Sequence, residues 1–185
     1  AIKNEFNTAE GIKLKYVDPA NLVYSYTHSP YFDDIYYIGE IKSVTINELK
    51  QQFPNLTDDE LKNISQQGVQ TAASHNRYVN EDSVLDANTI QVLYFNYKTY
   101  MNEVYKVKQV GSGADKAIEK DDTFNPPVGK EGEFTRLQRT IEVLYEGALI
   151  LGTNKLLKWE ISKNMLRPKS DFNKVKMNYS IVAPR

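Results

Sequence analysis

Apolar and polar residues alternate with a period of two along much of the chain, which is the pattern of strands that bury one face. The clearest stretch is 141–161, where two alternating runs flank the sequence Gly152-Thr153-Asn154. Glycine and asparagine tolerate the left-handed backbone of a tight turn, so this stretch predicts a β-hairpin. We expect three large aromatic residues to lie in the core: Tyr145, Trp159 and Tyr179. If Trp159 is a core residue, Trp159→Ala should reduce the soluble yield about tenfold.

Other segments alternate in the same way and are predicted to form further strands: 12–17, 22–26, 35–44, 89–109 and 175–181. The pattern of 89–109 relaxes near Tyr100–Asn102, which we interpret as the turn of a second hairpin. Both faces of the first half of this stretch are apolar, so we expect that half to be covered on both sides.

Threonine followed three residues later by glutamate occurs twice, at Thr45–Glu48 and Thr57–Glu60, and this spacing is typical of a helix capping box. It predicts a helix at about 46–53, ended by Pro54, and a longer one at about 58–73. The longer helix carries an apolar stripe of helical spacing: Leu61, Ile64 and Val69. The whole pattern predicts an α+β fold, mainly antiparallel β-sheet and hairpins with the two helices packed to one side.

Composition limits the class of protein. A length of 185 residues suits a single domain, 1–185, and 23 basic against 24 acidic residues argue against a dedicated nucleic-acid surface. The absence of cysteine excludes disulfides and thiolate metal sites, and no apolar run approaches the roughly 20 residues of a membrane-spanning helix. The chain begins at Ala1 and ends just after a strand, so we interpret it as a fragment of a longer protein.

The segment 111–135 differs from the rest of the chain. It contains Gly-Ser-Gly, Asn-Pro-Pro and Gly-Lys-Glu-Gly, with only scattered apolar residues. Such a composition buries too little apolar surface to offset the entropy of ordering it. We therefore predict a flexible excursion or one that contacts a neighbouring subunit.

Candidate chemistry is sparse. The two histidines, His28 and His75, lie in separate polar segments without further ligands nearby in sequence. Three aspartate doublets could serve as acid–base pairs or calcium ligands, but helix starts and turns explain each of them equally well: Asp33-Asp34, Asp58-Asp59 and Asp121-Asp122. The glycine-rich stretches 111–113 and 129–132 lack the rest of a phosphate-binding loop.

Lysines interleaved with tyrosines near 13–16, 97–100 and 105–108 could form a stacking platform for single-stranded nucleic acid. A solvated sheet face whose lysines prevent edge pairing explains the same pattern, and we favour that interpretation. We expect no catalytic, cofactor-binding or metal-binding residue, no cofactor, and no enzyme activity.

Two blocks of the sequence carry a resemblance. The first has Val-Asp-Pro within 15–21, Asp-Asp within 30–34 and Ile-Gly-Glu within 37–40. The second has Tyr-Glu-Gly at 145–147, Gly-Thr at 152–153, Asn-Met-Leu-Arg-Pro at 164–168 and Ile-Val-Ala-Pro at 181–184. Together they resemble the portal proteins of tailed bacteriophages, and most of all those of crAss-like phages and their relatives that infect Bacteroidetes.

The resemblance implies a virion structural protein, located at the portal vertex of the capsid and assembled in the cytoplasm of the bacterial host. It implies a homo-oligomeric ring, a dodecamer in the full-length protein, through which DNA is packaged and ejected. The implied partners are the major capsid protein, the packaging terminase and the head–tail adaptor. This fragment would belong to the outer wing region, without direct contact to DNA or a membrane.

Two other classes stay open. A carbohydrate- or ligand-binding β-domain would use tyrosines as stacking platforms, and it would need several aromatic residues exposed together on one face. A small hydrolase would use the aspartate doublets and would need two carboxylates to converge in a cleft.

Overall fold

The computed structural model describes residues 1–7, 11–75, 89–109, 115–126, 134–163 and 165–181. For 6, 7, 67–75 and 109 it describes the backbone alone. The strands are β1 (Ile2–Asn7), β2 (Gly11–Tyr16), β3 (Leu22–Tyr24), β4 (Tyr37–Thr45), β5 (Thr89–Gln109), β6 (Asp115–Lys120), β7 (Thr135–Ile150), β8 (Leu156–Ile161) and β9 (Tyr179–Ser180). The helices are α1 (Ile46–Gln52) and α2 (Asp58–His75), with a short 3-10 helix at Pro19–Asn21.

The larger sheet is antiparallel throughout and has the strand order β3-β4-β5-β7-β8. Its centre is the long pair β5–β7, which stays in register from Val92 opposite Ile150 to Val107 opposite Thr135. Two strands occupy the other edge of β5 in succession, β4 along its first half and β6 along its last six residues. At 21 residues, β5 extends on the order of 70 Å and links the body of the sheet to a distal three-stranded ribbon.

Both helices pack on one face of this sheet, as the sequence predicts. Buried residues of both helices meet even-numbered side chains of β4, β5 and β7 in the main core: Leu49, Leu61, Ile64, Val44, Ile90, Val92, Ala148 and Ile150. The side chain of Val69, the third residue of the predicted stripe, lies outside the described part. The α+β fold class is therefore confirmed, with mainly antiparallel sheet and two helices on one side.

The predicted capping boxes form at both helix starts. The Thr45 hydroxyl accepts from the Glu48 amide at 3.3 Å, and the Glu48 carboxylate accepts from the Thr45 amide at 2.9 Å. At the second helix the Thr57 hydroxyl accepts from the Glu60 amide at 3.3 Å, and the Glu60 carboxylate accepts from the Thr57 amide at 3.1 Å. These bonds satisfy amide groups that a helix start leaves without partners, which explains why both boundaries could be predicted from local sequence.

The prediction of a hairpin within 89–109 is wrong. β5 runs through Tyr100–Asn102 without a turn, and these residues pair with Glu142, Ile141 and Thr140 of β7. The alternation relaxes there because Tyr100 and Asn102 lie on an exposed part of the ribbon, where no core selects apolar residues. No glycine or proline is present at that point to form a turn.

The smaller sheet has the order β2-β1-β9 and closes a second core of Val17, Ile35, Ile38 and Tyr179. The burial expected for Tyr179 is confirmed. The clean alternation predicted for 175–181 is wrong, because the neighbours Asn178 and Tyr179 are both buried, and only Tyr179–Ser180 forms a strand. β1 was not predicted, and every side chain of the predicted strand β2 is exposed.

The segment 111–135 contains the strand β6, whose side chains are all exposed. Residues 111–114 and 127–133 lie outside the described part of the chain. β6 pairs with the distal end of β5, so part of the segment is ordered by its own sheet through backbone hydrogen bonds. Contact of the segment with a neighbouring subunit stays a prediction.

Candidate functional site

The sheet face opposite the helices carries a cluster of aromatic side chains. They come from four strands that are neighbours in the sheet, β4, β5, β7 and β8, and from the residue before β4. We call this group the aromatic face: Tyr36, Tyr37, Phe95, Tyr97, Tyr145 and Trp159. Tyr37, Tyr97 and Tyr145 are cross-strand neighbours in one row, and Trp159 lies opposite Gly147 in the next row. The period of two that points Val92 and Ile150 at the helices points these side chains the other way.

Trp159 is the centre of the aromatic face. Its ring stacks on Tyr145 with centroids 4.8 Å apart and planes 14° apart. The Phe95 and Tyr97 rings lie 5.9 and 6.0 Å away, and Tyr36 meets Tyr97 edge-on at 6.1 Å. The contacts join side chains from β5, β7 and β8 into one continuous aromatic surface.

Two glycines give the aromatic face its shape. The Phe95 ring lies over Gly147, where a Cβ atom would collide with the ring. On the opposite side, a Cβ atom on Gly39 would lie 2.8 Å from Phe95 Cβ and 2.9 Å from the Tyr94 carbonyl oxygen. Glycine at both positions therefore lets the Phe95 ring lie flat on the sheet, which keeps the surface low and broad.

The aromatic face corrects two expectations. Trp159 was expected in the core, but it keeps 46% of its surface exposed, and Tyr145 is only half-buried beside it. The first half of β5 was expected to be covered on both sides, yet the two helices cover only its even-numbered side chains. The reason is that nothing in the local pattern specifies which apolar face the helices will cover.

A second apolar surface lies on the hairpin of β1 and β2. Ile12, Leu14 and Tyr16 follow one another on one face of β2, each with more than 70% of its surface exposed. β2 is an edge strand within the described part of the chain, since β1 is the one described strand that pairs with it. Exposed apolar residues on an unpaired strand edge are typical of surfaces that contact another protein chain.

A charged network lies where the smaller sheet approaches the larger one, on the side of the larger sheet opposite the aromatic face. Glu146 accepts from Lys158 Nζ at 3.0 Å and from Ser162 Oγ at 2.5 Å. Lys42 pairs with Glu40 at 3.0 Å, and Lys3 pairs with Glu5 at 3.1 Å.

Burial changes the ionisation of this network. Partial burial by itself raises the pKa of Glu146, but hydrogen bonds from Ser162 and Lys158 outweigh it and hold that pKa below its usual value. The neighbouring Lys42 ammonium lowers the pKa of Lys15. Burial, with nearby carboxylates, raises the pKa of Tyr179, whose hydroxyl has no hydrogen-bond partner among the described residues.

The aspartate doublets have local structural roles. Asp34 accepts from the Thr27 hydroxyl and from the His28 amide and so closes a turn. Asp58 pairs with Lys50 at 2.7 Å across the helix–helix connection, and Asp122 lies 3.6 Å from Arg136. Because the doublets have different partners in three separate parts of the structure, they do not form a shared acid–base site.

The remaining candidates that the structure describes, His28 and the lysines at 106 and 108, form no reactive site with other described residues. His28 contacts the ring of Tyr26 at 4.8 Å, and the side chain of His75 is outside the described part. The glycine-rich stretches 111–113 and 129–132 also fall outside it. Lys106 and Lys108 lie over the Phe134 ring, at 3.6 and 5.2 Å, so this lysine pair is engaged by its own domain.

Within the described ranges, no group of three or more acidic, histidine or cysteine side chains is arranged to hold a metal ion. No helix in the described part of the chain is both long enough and apolar enough to cross a membrane. No protein-family model and no curated protein sequence matches this chain.

Proposed function

We propose that this chain is a domain of a phage portal ring and works through its contacts with other protein chains. The observation that supports the proposal most is the aromatic face, a broad apolar surface that the helices leave uncovered. Aromatic residues of this kind dominate the energetics of protein interfaces because they bury a large area with few rotatable bonds.

Two further features fit a role in assembly. The exposed row Ile12, Leu14 and Tyr16 on β2 lies in a different part of the fold from the aromatic face, so each copy offers two distinct apolar surfaces. Contact between unlike surfaces of identical subunits is heterologous, and it produces a ring when the rotation closes. The proposed partners are copies of the same protein, the major capsid protein, the terminase and the adaptor, without direct DNA contact by this domain. The proposed location is the portal vertex of the virion.

The aromatic face also favours a second candidate, a carbohydrate-binding β-domain. The sequence pattern predicts most aromatic residues on core faces, whereas the structure brings six of them together on an uncovered face. Flat rings of this kind stack on the apolar faces of sugars as readily as on a protein partner.

The only tryptophan of the chain, Trp159, distinguishes these functions by its fluorescence. If the face binds other copies, raising the protein concentration shifts the emission to the blue while light scattering reports a larger mass. If it binds sugars, a panel of soluble oligosaccharides shifts the emission while the mass stays constant. If the emission shifts neither with protein concentration nor with any oligosaccharide, both functions are refuted for this surface.

Trp159→Gln tests whether self-association takes place through the aromatic face. Tyr100→Gln is the matched control, because Tyr100 is an exposed aromatic residue on the ribbon, outside the aromatic face. We expect Trp159→Gln to abolish self-association and Tyr100→Gln to preserve it. Equal association of the two variants would contradict the proposed role of the aromatic face.

A further inference from the structure

Two edge strands combine an open backbone edge with exposed apolar side chains. They are β2 in the smaller sheet and β8 in the larger one, and each pairs with a single strand among those described. Other described edges are short or charged: β3 has three residues, β9 has two, and four of the six side chains of β6 are charged. Because short or charged edges resist pairing with another chain, β2 and β8 are the two best suited to it.

The hydrogen bonds at the end of β2 show which of its backbone groups point outward. The Val17 amide donates to the Ala1 oxygen at 2.8 Å, and the Ala1 amino group donates to the Val17 oxygen at 3.0 Å. Hydrogen-bonded and non-hydrogen-bonded pairs alternate along an antiparallel ladder, so Tyr16, Leu14 and Ile12 turn their N–H and C=O groups away from β1. The same three residues carry the exposed apolar side chains of β2.

The backbone of β8 has the same arrangement. The Ser162 amide donates to the Leu144 oxygen at 2.8 Å, one position beyond the pair of Ile161 with Tyr145. By the same alternation, Ile161 and Trp159 turn their backbone groups away from β7. Their side chains keep 38% and 46% of their surface exposed. On both strands, therefore, the residues with outward-pointing backbone groups are also exposed and apolar.

Antiparallel pairing of β2 with β8 would bring these residues together on one face, because directly opposite residues point their side chains to the same side of a sheet. With Leu14 opposite Ile161, Tyr16 lies opposite Trp159, which gives an aliphatic pair and an aromatic pair. Ile161 ends a row of cross-strand neighbours that Leu14 would extend: Tyr37, Tyr97, Tyr145 and Ile161. The pairing thus continues the aromatic face into the exposed row of β2.

Charge favours this register over its neighbours. It places Lys15 opposite Glu160, whereas a shift of two residues toward the start of β8 places Lys15 opposite Lys158, and a shift toward its end gives Lys15 no carboxylate. Lys15 already lies beside Lys42, whose ammonium holds the pKa of Lys15 below its usual value. A glutamate opposite Lys15 relieves this repulsion and a second lysine increases it, so Lys15 makes the edge of β2 selective for an acidic strand.

We propose that the edge of β2 in one copy of this chain pairs with the edge of β8 in a second copy, with Leu14 opposite Ile161 and Lys15 opposite Glu160. This contact rests on the proposed function, because its partner is a copy of the same protein. Within one chain β2 lies near β4, through Lys15 and Lys42, while β8 is the opposite edge of the larger sheet. Each copy therefore offers one edge to each of two neighbours, a heterologous arrangement that forms a ring when the rotation closes.

A symmetric pair of β8 strands is the main alternative. Centred on Trp159, it places Lys158 opposite Glu160, so its charges also match. It leaves the edge of β2 and the three exposed apolar side chains of that strand unpaired in both copies. Pairing of β2 with β8 covers both open edges of every copy, which is why the structure favours it.

Disulfide cross-linking tests the register, since the chain has no cysteine of its own. Hydrogen-bonded residues on opposite strands have Cα atoms about 5.5 Å apart, which suits a disulfide. The double variant Leu14→Cys and Ile161→Cys should therefore form a ladder of covalent dimers, trimers and larger species under mild oxidation. The matched control is Ile12→Cys with Ile161→Cys. These two are diagonal neighbours about 7 Å apart in this register and should cross-link about tenfold more slowly.

Charge reversal distinguishes this contact from a symmetric β8 pair. Lys15→Glu places two glutamates opposite each other and should weaken self-association about fivefold, while adding Glu160→Lys to the same chain should restore it to within about twofold. A symmetric β8 pair predicts no effect of Lys15→Glu. The matched control is Lys120→Glu, an exposed lysine on β6, which should associate like the unmodified protein.

Three results would overturn this contact and leave the proposed function standing. They are self-association without a ladder from the Leu14→Cys and Ile161→Cys variant, equal cross-linking of the Ile12→Cys control, and association that Lys15→Glu does not weaken. A protein that stays monomeric at every concentration would refute the proposed function and this contact together. Light scattering separates these cases, and circular dichroism confirms that each variant is folded.

Discussion

At the residue scale, the packing of Phe95 on Gly147 determines the form of the aromatic face. The ring occupies the space that any side chain at position 147 would need. Gly147 is also buried although it lies on the uncovered side of the sheet, because the ring covers it. Gly147 beneath the ring, together with Gly39 on its other side, thus explains why a bulky aromatic cluster can stay flat on an exposed sheet.

Gly147→Ala should destabilise the domain by about 1–3 kcal/mol, because the new methyl group forces the Phe95 ring off the sheet. Thermal unfolding measures the loss. Phe95→Leu in the Gly147→Ala background should recover part of it, since the smaller side chain leaves room for the methyl. Additive losses in the double variant would show that the two positions do not interact.

Tyr179→Phe should leave the stability unchanged or raise it by up to about 1 kcal/mol. The Tyr179 hydroxyl is buried and has no partner among the described residues, so its removal breaks no hydrogen bond and relieves a desolvated group. Chemical denaturation of the two proteins gives the difference directly. A loss above about 1 kcal/mol would mean that the hydroxyl is bonded in solution.

The carboxylate of Glu146 should make the stability sensitive to acid. Its folded pKa is lowered, so the stability it contributes is fully present above its unfolded pKa, near 4.3, and is lost as the pH falls through the folded pKa. Glu146→Gln should therefore unfold with a weaker dependence on pH between about 5 and 3. Identical pH profiles for the two proteins would contradict the assigned hydrogen bonds.

At the element scale, local chemistry fixes the helix starts. Thr45→Ala removes the hydroxyl that accepts from the Glu48 amide and should destabilise the domain by about 1 kcal/mol, or a few degrees in melting temperature. Thr45→Ser keeps the hydroxyl and is the matched control. If serine and alanine have the same effect, the capping bond contributes nothing.

The sequence predicts an element best where its signal is local. The capping boxes and the 141–161 hairpin depend on residues within a few positions of one another, and the structure contains all of them. The continuity of β5 could not be predicted in this way, because β7 supports Tyr100–Asn102 from about 40 residues away. The exposure of Trp159 was missed for a similar reason, since distant helices decide which sheet face is covered.

The aromatic face could be predicted in part from the sequence, since the period of two already places Phe95 and Tyr97 on one face of β5.

At the scale of the whole molecule, Trp159 lies on the exposed aromatic face rather than in the core. Trp159→Ala should therefore change the stability of the monomer by less than about 2 kcal/mol and the soluble yield by much less than the tenfold loss expected of a core residue. Expression yield and denaturation of the monomer measure both quantities. A tenfold loss of soluble yield would show instead that the domain needs Trp159 to fold.

The most direct test of the account is electron microscopy of the purified protein that carries this chain, at high protein concentration. We predict closed rings with a central channel, in which the aromatic face of each subunit is buried against a neighbouring chain. A uniform monomer at every concentration would contradict the portal function, and sugar binding would then become the leading function of the aromatic face.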